Sequence, residues 1–147
     1  MATAGSALAA WPLLAGSGAE PSAPVPVSHI DTATRACLLT STDTDTAGTW
    51  AAMLQLAGTN TEHLIVQRYR IPTGVRPAAY VNSVVGLGCS TVVTTGHAAR
   101  QAVASRLAEQ PLPHVRFVLV GDRPLRGTTH LSPDAVSART LSKWVTG

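Results

Sequence analysis

From Arg35 onward, short apolar runs alternate with longer stretches of helical periodicity, the pattern of βαβ units that build a parallel sheet. Five runs read as strands: 36–40 (ACLLT), 64–69 (LIVQRY), 89–94 (CSTVVT), 115–120 (VRFVLV) and a shorter one at 128–131. The first of them, 36–40, is a continuous apolar run, as expected of a strand covered on both faces.

Between them lie four helical stretches. The polar loop 41–46 (STDTDT) suits an N-cap, and residues 47–56 follow as a helix with Trp50, Met53, Leu54 and Ala57 on one stripe, ended by Gly58. A second helix is predicted over 76–85, with Pro77 in its first turn and Ala78, Val81, Val84 and Val85 inward; Gly86-Leu87-Gly88 stops it. The third spans 97–109 with a small-residue face of Ala98, Ala102, Ala104 and Leu107. The last opens on Ser132 as N-cap, Pro133 and Asp134, with Val136, Leu141 and Val145 inward. Right-handed crossovers and short connections arrange these elements as a three-layer, doubly wound α/β sheet in the order 2-1-3-4-5.

Residues 35–147 suffice for a single Rossmann-like α/β domain with one core, and residues 1–34 read as a low-complexity leader. In that leader, residues 7–16 (ALAAWPLLAG) have the length of a signal-peptide core and are followed by the Pro/Ser/Ala-rich stretch 17–27. The pairing predicts an export or tethering segment and an extracytoplasmic location. Against it, no Lys or Arg precedes Arg35, so a cytoplasmic protein with an Ala-rich tail is the alternative. Leu14-Ala15-Gly16-Ser17 has the look of a lipoprotein cleavage box with serine where the lipidated cysteine would stand.

The chain is 45% hydrophobic, 13% charged and 4% aromatic, a composition that folds. Its +3 formal charge comes from basic residues scattered singly, without the clusters that nucleic-acid surfaces use, so no nucleic-acid partner is predicted. Catalytic motifs are missing: there is no P-loop, no GxGxxG after the first strand, no GxSxG and no HExxH. The reading is therefore of a protein that is not an enzyme and takes no cofactor. The five histidines are dispersed, and no metal site is predicted.

Cys37 and Cys89, the only cysteines, sit at the beginnings of strands 1 and 3, which are neighbours in the proposed order. A disulfide is sterically allowed there; two buried free thiols are the other outcome. Open α/β sheets bind ligands outside the carboxyl ends of their strands. That rule singles out Thr42, Asp43 and Asp45 after strand 1, Thr95, Gly96 and His97 after strand 3, and Asp122 after strand 4. For the aspartates and Thr42, helix capping competes with ligand contact.

Several of these features together resemble the basic membrane protein (BMP) family of ABC-transporter substrate-binding proteins. They are ACLLT at 36–40 with its polar loop and Trp50, Gly88-Cys89 and Thr95-Gly96 around the third strand, the stretch 115–122, and Ser-Pro-Asp-Ala-Val at 132–136 as in short actinobacterial members. The resemblance implies a lobe of the type I periplasmic-binding fold, export, a small polar ligand such as a nucleoside, and an ABC permease as membrane partner. It departs from the family in holding one lobe where ligand is closed between two, so binding would need a homodimer or another partner. A ligand-free interaction or structural module is the alternative function. A cytosolic flavodoxin-like enzyme or receiver fits less well, because a receiver needs a lysine at the end of a late strand and the only lysine, Lys143, lies in the last helix.

Overall fold

The computed structural model describes residues 33–60 and 63–145, so the leader lies almost wholly outside the described residues. Five strands form one parallel sheet: β1 (Thr34–Ser41), β2 (Leu64–Ile71), β3 (Thr91–Thr95), β4 (Arg116–Val120) and β5 (Thr129–Leu131), in the order β2-β1-β3-β4-β5. This is the predicted three-layer architecture. The chain turns outward from β1 in both directions, which creates a switch point between β1 and β3.

Side chains alternate across the sheet and sort into two cores. Ala36 and Leu38 of β1, with Val93, Val118 and Val120, meet helix α1 (Ala47–Thr59) and helix α4 (Ala138–Val145). Cys37 and Leu39, with Ile71, Val92 and Phe117, meet helix α2 (Pro77–Gly86) and helix α3 (His97–Glu109). Leu38, Leu39 and Met53 are fully buried, each contributing roughly 2–3 kcal/mol over the exposed state. Within the sheet Thr94 is an exception, because its buried hydroxyl has no hydrogen-bond partner among the described residues.

The helices keep their predicted places but several turn a different face inward. In α1 the buried residues are Thr49, Ala52, Met53 and Leu56; Leu54 is 48% exposed, and Trp50 and Ala57 only pack against the core's margin. The helix also runs through Gly58 to Thr59, its final N–H bond passing from Asn60 to Leu56 O. In α3 the buried set is Ala99, Ala102 and Val103; Ala102 is inward as expected and Leu107 packs against the core, while Ala98 and Ala104 are only half-buried and give way to Ala99 and Val103. Both differences have one cause: where alanine and threonine supply most of the small positions, few large side chains fix which face of a helix turns inward, and in α1 the roll exchanges Leu54 for Leu56.

Near the C-terminus, Pro133–Ala135 forms a separate 3-10 turn instead of opening the last helix. α4 has its own reciprocal cap: Ser137 N–H donates to Thr140 Oγ1 at 2.9 Å and Thr140 N–H donates to Ser137 Oγ at 3.2 Å. Leu141 and Val145 are buried as predicted, with Val136 packed beside them.

Cys37 and Cys89 form a disulfide, with 5.8 Å between their Cα atoms. Neither begins a strand. Cys37 lies inside β1, opposite Val92, and Cys89 precedes β3 in the turn that ends α2. There Gly88, at φ 83°, takes the left-handed conformation; its N–H reaches Val85 O at 3.0 Å and the N–H of Cys89 reaches Val84 O at 3.2 Å. This paired-bond helix ending drives the residue after the glycine back toward the helix's apolar side. Cys89 is thereby buried beside Val84 and held against β1, at 2% exposure.

Candidate functional site

At the switch point, β1 ends in Ser41 and β3 ends in Thr95, followed by Gly96 at the start of α3. The first N–H groups of a helix have no partner within it and carry the positive end of its dipole, which is why ligands settle there. In this chain Ser41 takes that place. Its Oγ accepts from Ala98 N–H at 3.0 Å and Ala99 N–H at 3.2 Å, and the residue is 3% exposed. A hydroxyl from a strand 57 residues earlier thus caps α3.

Gly96 completes the closure. Its φ of 92° and ψ of 161° are open to glycine and strained for other residues. A Cβ built on it would stand 2.3 Å from Thr44 Oγ1 and 2.7 Å from Ser41 Oγ, so the loop after β1 lies directly against the backbone at the end of β3. At the switch point the protein's own Ser41 and Thr44 side chains lie against Gly96 and the start of α3.

Of the residues singled out in the sequence, Gly96, His97 and Asp122 come together, lining a cleft of about 420 Å³ between the ends of β3 and β4. Arg100, Leu119, Val120, Gly121 and Arg123 complete its walls. The cleft's shape is set by bonds to the loop after β4: Arg100 donates to Arg123 O at 2.6 Å and Pro124 O at 3.0 Å, while His130 Nε2 donates to Gly121 O at 2.7 Å. Thr95 is buried at 6% exposure behind this surface. Thr42, Asp43 and Asp45 stay on the exposed loop after β1 and do not line the cleft. Asp45 Oδ1 accepts from Ala47 N–H at 3.0 Å, the capping role that competed with ligand contact. Ser41 and Thr44 were not singled out by sequence reasoning, and neither was Arg100, although its spacing of three residues from His97 puts the two on one side of α3.

The fold is shared with a solved structure. Over 78% of this chain and 97% of the other, it superimposes on a fragment of a "putative lipoprotein" from Peptoclostridium difficile 630, with a TM-score of 0.55 and 8% sequence identity. At that identity the likeness is one of architecture. No protein-family model matches the chain, and no curated protein matches it. The similarity to the BMP family therefore rests on the short motifs alone. Among the described residues no cluster of His, Cys, Asp or Glu could hold a metal ion, and no helix is long and apolar enough to cross a membrane.

The cap across the switch point makes a direct prediction. Ser41→Ala should cost about 1–2 kcal/mol in chemical denaturation, because two N–H groups of α3 lose their acceptor. Ser41→Asp tests the same geometry with a charged acceptor; in denaturation it should be at least as stable as Ser41→Ala despite its extra bulk.

Proposed function

We propose that the chain is an exported, non-enzymatic α/β module that acts through its surface rather than by enclosing a small solute. One observation carries this reading: the switch-point crevice is occupied by Ser41 and Thr44 packed onto Gly96 and the start of α3. Export is supported by the buried Cys37–Cys89 disulfide, a bond that oxidising compartments preserve and the reducing cytosol does not. The architecture shared with a fragment described as a lipoprotein points the same way. In family terms the chain is then a BMP-like lobe that has kept its sheet and lost solute closure.

A second reading, a single-lobe solute receptor that works with an ABC permease, draws support from the cleft between β3 and β4. Arg100 and Arg123 outnumber Asp122 there, which favours a small polar ligand bearing negative charge. Thermal unfolding of the full chain with nucleosides, nucleotides and inorganic phosphate at millimolar concentration separates the two. The surface-module reading expects the midpoint to stay within about 1 °C throughout. A ligand present at 100 times its Kd would add about 2.7 kcal/mol, and such a shift, abolished by Arg123→Ala, would establish the receptor instead.

A further inference from the structure

A thiol or a disulfide exchanges only when another sulfur can reach it. Cys37 is fully buried and Cys89 is 2% exposed. Both belong to the core between the sheet and helices α2 and α3, beside Val81 and Val84 of α2 and Ala99 and Ala102 of α3. In the closed domain an outside sulfur has no path to either one.

The turn that carries Cys89 is fastened by bonds that do not involve sulfur. Arg35 Nη1 donates to Leu87 O at 2.9 Å, and the Ser90 N–H and hydroxyl donate to Arg35 O at 3.0 and 3.1 Å. Arg116 N–H donates to Ser90 O at 2.9 Å. The residues on both sides of Cys89 are thus tied to β1, and Ser90 to β4 as well. These bonds, and the packing of Val84 and Phe117, are open to a chain whose cysteines are still thiols. Such a chain can close, and closing buries its thiols as completely as it buries the bond.

We propose that Cys37 and Cys89 form a redox latch set before folding. A disulfide donor joins them on the open chain, and once the turn seats against β1 the closed domain keeps whichever form it was given. The inference rests on the export reading, which supplies the donor: an oxidised protein dithiol that the chain meets as it emerges into an oxidising compartment.

The exchange fixes this order. One cysteine thiolate of the chain attacks a donor sulfur, forming a mixed disulfide and releasing the donor's other sulfur as a thiolate. The second cysteine thiolate attacks the chain's sulfur in that mixed disulfide, forming Cys37–Cys89 and freeing the donor's remaining sulfur. The chain gives up two protons and two electrons, and the donor's disulfide becomes two thiols. The mixed disulfide carries the donor on one sulfur of the chain, for which neither buried position has room. A chain that closes in a reducing cytosol is therefore held in the thiol form. It lacks the constraint of a bridge across 52 positions, so it is the less stable form and the first to be degraded.

The full chain is reduced in denaturant, refolded with reductant, freed of reductant and mixed with glutathione disulfide. Thiols are then counted over time by alkylation and mass spectrometry. Oxidation in native buffer should run at least about a hundredfold slower than in denaturant, because exchange waits for the turn to open. Reduction of the oxidised protein by dithiothreitol should show a ratio at least as large. Arg35→Ala, folded by circular dichroism, removes one fastening of the turn and should speed both native reactions about fivefold, leaving the rates in denaturant unchanged. A smaller ratio in either reaction overturns the proposal, whether the thiol chain stays open or the closed domain admits the reagent. So does an Arg35→Ala chain that exchanges no faster than wild type. Cell fractionation tests export separately: a full chain found in the cytosol defeats that reading and leaves these ratios unaltered.

Discussion

Replacing Cys37 and Cys89 together by alanine should lower the stability of the domain by about 4 kcal/mol and its melting temperature by about 15 °C. The bridge spans 52 positions, and a closed loop of that length removes a large share of the unfolded chain's freedom, worth about 4 kcal/mol in the loop-entropy account. Alanine at both positions isolates that term, because it leaves no thiol and, unlike serine, adds no hydroxyl to the α2/α3 core. Urea denaturation with and without reductant provides the check: wild type should fall toward the variant when reduced, and the variant should not respond. A loss below about 1 kcal/mol would mean that the bridge does not constrain the unfolded chain.

That dependence bears on where the protein works. Small domains have net stabilities of roughly 5–15 kcal/mol, so a contribution of this size decides whether the fold persists at growth temperature. A chain in which β1 and the end of α2 are tied in this way is suited to an oxidising compartment. The same tie holds the centre of the sheet, since β1 lies between β2 and β3.

The strands were legible because strands covered on both faces are near-continuous apolar runs, as 36–40 and 117–120 show, and their order because right-handed crossovers with short connections leave few alternatives. The disulfide was one of two outcomes left open: with strands 1 and 3 as neighbours in the expected order, a bridge between the two cysteines was sterically allowed. What the pattern misplaced was Cys89, read as part of a strand, because Gly88 was taken only as a stop. Its left-handed conformation sends the following residue back into the core, a consequence of backbone geometry and not of hydrophobic periodicity. The rolled faces of α1 and α3 were hidden by composition, as Leu54 shows: it looked like core and is half exposed.

The site was less legible than the fold. Strand-end logic picked out Gly96, His97 and Asp122, which line one cleft, since it needs only the strand order. It had no means of showing that Ser41 would cap α3, because that contact joins residues 57 and 58 positions apart and depends on how far β1 extends. The predicted strand ended at residue 40; the observed one includes Ser41, and this single added residue brings the hydroxyl to the helix.

Gly96→Ala should be among the most damaging single substitutions in the chain, with an expected loss of about 2–6 kcal/mol. Two costs add. The backbone at φ 92° and ψ 161° lies in a region nearly exclusive to glycine, worth roughly 1–3 kcal/mol for any residue with a Cβ. The new methyl would also stand 2.3 Å from Thr44 Oγ1 and 2.9 Å from Ser41 Cβ, and relieving that overlap means displacing the loop after β1, at about 1–3 kcal/mol. The two costs separate experimentally. Thr44→Ala in the Gly96→Ala background removes the nearest atom and should recover about 1 kcal/mol in urea denaturation, leaving the backbone strain in place. Full recovery would assign the whole effect to packing, and no recovery would show that Thr44 does not lie over Gly96. The result bears on function as well as stability, because the same contact fills the switch point. If Gly96→Ala folds, its loop is displaced from the start of α3. Renewed ligand screening of that variant would then show whether the filled crevice alone separates this lobe from a solute-binding one.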